Sequence, residues 1–139
     1  MKIKTKLTLG VGVLLVLIVI LAVMGINQIM SLATASEQIL VANYNSLDYS
    51  RNMLKTLDEI AVEKDALERF ERQLGAQESN ITEIGEDELT ESLRSHFDQL
   101  LTRPTDTLLM KNIRKDLNDI MKINLAAIER KSIVAGKAA

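Results

Sequence analysis

The residues whose type and spacing could do chemistry in this sequence are four arginines, Arg51, Arg72, Arg94 and Arg114. If the chain folds as antiparallel helices, counting inward from their common tip brings the four to nearly one height. That height is roughly 14 Å below the tip at about 1.5 Å per residue. A guanidinium presents forked donors that match a carboxylate or a phosphate, so four at one level could hold a small anion. Asp48, Glu71, Glu91 and Asp116 fall near the same level, and surface ion pairing is the competing use of these side chains. Arg51 is the first candidate for the ligand, because its heptad position directs it to a helix seam rather than to water.

Other chemistry is sparse. His96 is the only histidine and cysteine is absent. A lone imidazole among scattered carboxylates is not a zinc ligand set. Glu86, Asp87 and Glu88 stand together, and charge at a helix start is the simplest account of them. There is no glycine-rich phosphate loop and no nucleophile beside a base. We therefore expect no catalytic residue, no metal and no cofactor, and rank an enzyme last. Tyr44 is expected to pack in a seam. Asn80-Ile81-Thr82 matches a glycosylation acceptor, a pattern short enough to arise by accident.

The elements that must position these residues begin with Leu7 to Ile26, which reads LTLGVGVLLVLIVILAVMGI and carries no charge. About 20 apolar residues are what a helix needs to cross a bilayer core of about 30 Å. Lys2, Lys4 and Lys6 precede the run, which places the N-terminus in the cytoplasm. A signal peptide is the competing reading, with Val23-Met24-Gly25 as a tolerable cleavage site, but the run exceeds the roughly 7–15 residues of a typical signal core. The expected division is a basic tail over 1–6, a transmembrane helix over 7–26 and an extracytoplasmic domain over 27–139. The chain would cross the inner, cytoplasmic membrane once, with its domain on the periplasmic side.

Composition narrows the class. One proline, no tryptophan and two residues each of phenylalanine and tyrosine leave helix patterns almost uninterrupted. A small external domain without disulfides must be stabilised by helix packing or by a partner subunit. Three of the 17 basic residues lie before the apolar run, against 19 acidic residues in the chain. That acidic balance argues against nucleic acid as a partner.

The order of elements follows from periodicity. Leu40, Leu47, Leu54 and Ala61 recur every seven residues, with Tyr44, Arg51 and Leu57 or Asp58 between them. This predicts one helix from the membrane to about residue 60, with a break near Asn43-Tyr44-Asn45-Ser46 as the alternative. A second helix is predicted from about Glu63 to Ser79 (Leu67, Phe70 and Leu74 inward), then a loop through Gly85. A third starts near Glu86, with Leu89, Leu93, Phe97 and Leu100 inward. Pro104 marks the next start. The fourth helix has a seam of Leu109, Ile113, Leu117, Ile120, Asn124 and Ile128. The expected fold is all-α: an N-terminal transmembrane helix continuous with an up-down-up-down four-helix bundle, helices one and four long, two and three short. Toward the membrane only two helices remain, and Ile39, Leu40, Ile123, Ile128 and Val134 would be left half-covered. A homodimer is therefore expected.

In this arrangement the chain resembles the extracytoplasmic input segment of membrane-bound sensor histidine kinases of the KinB-like, four-helix-bundle type. The likeness rests on MKIKTKLTLGVGVLLVLIVILAV, ILVANYNSLDYSRNML, GEDELTESLRSHFDQL and IRKDLNDIMKINLAAIERKS. In that family a second transmembrane helix, a HAMP linker, a phosphoacceptor helix and an ATP-binding domain follow, and the 139 residues resemble the sensor half without the kinase half. Ser95-His96 with Pro104 downstream is a poor match to the phosphoacceptor box, since Phe97 stands where an acid usually follows. The resemblance implies a sensory input that transmits an external signal by helix rearrangement; the arginine level suggests a small anion as its ligand, and an extracytoplasmic protein is the other candidate partner. A chemoreceptor-type ligand-binding domain and a membrane-anchored structural adaptor without ligand are the alternatives.

Overall fold

The computed structural model describes residues 3–137, and side chains as far as Ile133. Lys2, Ala139 and the side chain of Val134 lie outside that range. The described residues form four helices and no strand: α1 (Ile3–Glu59), α2 (Ala66–Glu78), α3 (Glu86–Thr102) and α4 (Thr107–Lys137). The chain divides into two units, Met1–Gln38 and Ile39–Ala139.

In the first unit α1 contains a stretch long and apolar enough to cross a membrane, and none of that stretch is buried. A core helix of a soluble domain would be covered by its neighbours. Gly10, Gly12 and Gly25 sit within this helix with nothing near them, so they do not interrupt it.

In the second unit one apolar core draws on every helix. It joins Met53 and Leu57 of α1, Phe70 and Leu74 of α2, Leu93, Phe97 and Leu100 of α3, and Leu109, Ile113, Leu117 and Ile120 of α4. Phe70 and Phe97 stack with ring centroids 4.5 Å apart, tying α2 to α3. The six seam positions expected on α4 are all buried. On α3, Leu93, Phe97 and Leu100 are buried and Leu89 packs against the core.

The seam of α1 differs from the expected one. Its fully buried positions are Asn43, Ser46, Ser50 and Met53, with Leu57 almost so. They are spaced three and four apart, but the first three are polar, so a search for apolar repeats misses them. Of the expected set Leu47 and Leu57 are buried, Leu40 and Leu54 are half-buried, and Tyr44, Arg51, Asp58 and Ala61 are exposed. Tyr44 therefore does not pack in a seam of its own chain. The helix continues unbroken through Asn43-Tyr44-Asn45-Ser46.

The turns explain the remaining boundaries. After α1 the Glu59 carbonyl accepts from the N–H groups of Val62 and Glu63, both at 2.9 Å, and α2 begins only at Ala66. Arg69 closes this turn by pairing with Glu59 at 2.9 Å, with Asp65 at 3.4 Å and with Glu63. Gly85, at φ 84°, turns the chain into α3 in a conformation that a β-carbon disfavours. Pro104 lies in the α3–α4 turn and does not start the helix. Asp106 caps α4 instead, its Oδ1 accepting from the N–H groups of Leu108 at 3.0 Å and Leu109 at 3.1 Å.

Candidate functional site

The most developed polar site in the second unit is built around Glu86, the first residue of α3. Its carboxylate is fully buried, as are Asn43, Ser46, Gln77 and Asn124. Oε1 accepts from Ser46 Oγ of α1 at 2.9 Å, from Gln77 Nε2 of α2 at 2.9 Å and from Asn124 Nδ2 of α4 at 2.7 Å. Oε2 accepts from the backbone N–H groups of Thr82 at 3.0 Å and Glu83 at 3.1 Å, in the loop before α3. One carboxylate thus gathers donors from three other helices and a loop.

All five donors are neutral. Burial pushes the Glu86 carboxyl up, but hydrogen bonds from the Thr82 N–H, the Asn124 amide, the Glu83 N–H and the Gln77 amide outweigh it. The carboxyl is held below its ordinary value of 4.5 and stays ionised.

A second ring of contacts ties α1 to the loop. Asn43 Nδ2 donates to Glu83 Oε1 at 2.9 Å, and Thr82 Oγ1 donates to Asn43 Oδ1 at 2.7 Å. Asn80 Nδ2 donates to the Ala42 carbonyl at 2.7 Å and to Ser46 Oγ at 3.0 Å. The amide nitrogen of the Asn80-Ile81-Thr82 pattern is thus committed to α1 and is not presented for glycosylation. Arg130 of α4 reaches Glu83 Oε2 at 3.2 Å from the surface.

Reading charge along the sequence assigned Glu86 to the helix dipole, with a cradle for a hard cation as the less simple alternative. The signal that could have found it is the coincidence of small polar residues, Asn43, Ser46 and Ser50, at seam spacing on α1 with Gln77 and Asn124 at seam positions on their own helices.

The four arginines are each held by their own carboxylates. Arg94 is the most engaged, with Nη1 on Glu71 at 2.8 Å and Nε on Glu78 at 2.7 Å. These hydrogen bonds raise its already high pKa further, against the effect of desolvation. Arg114 pairs with Asp58, and Arg72 with Glu68 at 3.3 Å. Arg51 is exposed and lies 3.7 Å from Asp48, the longest of these contacts. Arg51, Arg72 and Arg94 line three different grooves. That of Arg51 also contains Leu47, Asn118, Met121, Lys122 and Leu125, between α1 and α4.

His96 is partly exposed, and its Nδ1 lies 2.6 Å from Asp116 Oδ2 of α4. Ser92 Oγ donates to the same oxygen at 3.2 Å. Serine and imidazole therefore share one carboxylate instead of forming a relay, and the cluster joins α3 to α4. Among the described residues no group of three or more histidine, cysteine or acidic side chains could hold a metal. Comparison of the chain with protein-family models, with curated proteins and with solved structures gave no match.

Proposed function

We propose that the chain is the extracytoplasmic input segment of a membrane-bound sensor histidine kinase, anchored with its N-terminus inside and working as a homodimer. The observation that carries this reading is α1. One uninterrupted helix, Ile3–Glu59, holds both an unburied apolar span and a buried polar seam. In such a helix a change of packing at Asn43–Leu57 reaches the span without crossing a loop. Signalling then requires two packings that a stimulus favours unequally. The helices would run up-down-up-down, so that α4 returns toward the membrane beside α1.

Arg51 is the candidate contact for a small anion. Of the four arginines it is the one whose nearest carboxylate is most distant, and Lys122 lines the same groove. Arg72, Arg94 and Arg114 would have to leave closer carboxylates to take part.

The test is a chimera. Residues 1–139 are joined to the second transmembrane helix, HAMP linker and kinase of a characterised sensor. Substitutions at Ser46, Asn43 and Arg51 should change autophosphorylation in membranes. Output indifferent to every substitution between residues 39 and 59 would remove the sensor reading.

A further inference from the structure

The polar seam of α1 has a property that an apolar seam lacks. Of the five donors on Glu86 only Ser46 belongs to α1. When α1 departs, the Gln77 and Asn124 amides and the Thr82 and Glu83 N–H groups remain. Four donors match the roughly four lone-pair sites of a carboxylate. The buried charge therefore stays satisfied without α1, whereas removing a sole partner would leave it unpaired at large cost. On the other side of the break, Asn43 and Ser46 would meet water, which hydrates them. The one buried apolar side chain of 39–50 is Leu47, and the half-buried Tyr49 touches the core only at its edge.

The next two turns behave differently. Met53 and Leu57 sit in the core with Phe70, Leu74 and Phe97, and withdrawing them would expose apolar surface. The closed state also leaves buried polar atoms without partners: Ser50 Oγ, Gln77 Oε1 and Asn124 Oδ1. Each such atom carries a desolvation cost that entry of water relieves.

We propose that residues 39–50 of α1 form a strap, latched through Ser46 and Asn43 and hinged on Met53 and Leu57, that opens while the apolar core stays packed. Its use as the moving part of a sensor rests on the function proposed above; its opening does not.

The chain has no cysteine, so single thiols report opening cleanly. S50C and M53C, each in the full chain in detergent micelles, replace fully buried residues in the strap and in the core. Thiol labelling of S50C should run at least about tenfold faster than that of M53C. Adding S46A removes a hydrogen bond to a charged group and should speed S50C labelling roughly tenfold or more. Equal labelling of the two thiols in the otherwise intact chain would mean that the unit opens only as a whole and would overturn the strap. So would an S50C rate unmoved by S46A. The comparison of S50C with M53C needs no latch variant, so it decides the matter even if S46A fails to fold. A strap that opens as described in a chimera whose output ignores S46A would instead remove the sensor reading.

Discussion

A buried carboxylate with five neutral donors makes the stability of the domain depend on acid in a calculable direction. The folded-state pKa of Glu86 lies below the ordinary value of 4.5, so the unfolded chain takes up the proton first as pH falls. The contribution of Glu86 is therefore complete above about pH 4.5 and is lost as pH drops through the depressed folded-state value. Thermal melting between pH 7 and pH 3 should show a fall at the acid end that is smaller in Glu86→Gln. That variant should also melt lower at neutral pH, by about 3 kcal/mol or more. Its amide must point an NH2 either at Ser46, Gln77 and Asn124 or at the Thr82 and Glu83 N–H groups. A neutral-pH melting point equal to that of the parent would show that Glu86 is not needed as an anion. Arg51 gives the opposite expectation. It is an exposed partner of Asp48, and such pairs contribute about 0–1 kcal/mol, so Arg51→Ala should leave helicity and melting nearly unchanged. A large loss of stability would make it a structural residue. A changed autophosphorylation of the chimera at unchanged stability would assign it to the ligand.

At the scale of the element, α1 joins two kinds of seam, and two serines one turn apart test the difference. Ser46 donates to Glu86, while Ser50 Oγ is buried without a partner. Ser46→Ala should destabilise the domain by about 1–3 kcal/mol, and Ser50→Ala should be neutral or slightly stabilising, because it removes an unsatisfied hydroxyl. Equal losses in denaturant melts would contradict the assignment of these bonds. The same contrast explains what periodicity could read. The α4 seam was legible because five of its six positions are leucine or isoleucine, and the α3 face because Leu93, Phe97 and Leu100 are large and apolar. On α1 the leucines at 40, 47 and 54 suggested a stripe, yet close approach there uses Asn43, Ser46 and Ser50, and the partners that Asn43 and Ser46 find lie 34 to 40 residues away in the chain. No local pattern announces such partners. The start of α4 was misplaced for a related reason. Proline suits a first helical turn, but here the Asp106 carboxylate takes the capping role. Asp106→Ala should accordingly cost about 1 kcal/mol.

Topology and assembly belong to the whole molecule. The apolar span of α1 is uncovered, and beyond it toward the core Ile29, Met30 and Leu32 are also exposed, at 70%, 64% and 73%. Nearer the core Val41 and Tyr44 remain more than half exposed, and Leu40 and Ile123 are half-buried. In the homodimer we propose, a second copy covers this part of α1. Two copies anchored in one membrane share an orientation, and the anchor raises their effective concentration, so the contact need not be strong in isolation. Alkaline phosphatase fused after residue 60 should be active in a bacterial host if the N-terminus is inside, and an active cytoplasmic reporter at that site would reverse the orientation. Single cysteines introduced along 30–43 should then crosslink between copies in intact membranes, with maxima every three or four residues. That period is the informative quantity, because collision between mobile anchors would crosslink every position alike. A periodic set containing Val41 or Tyr44 and excluding the fully buried Asn43 would place the second copy on the face that the chain leaves open. Strong crosslinking at Asn43 would require α1 to turn its polar seam outward, the displacement that an opened strap allows. Absence of crosslinks at every position would remove the homodimer, and the open face of α1 would then have to be stable without a second copy.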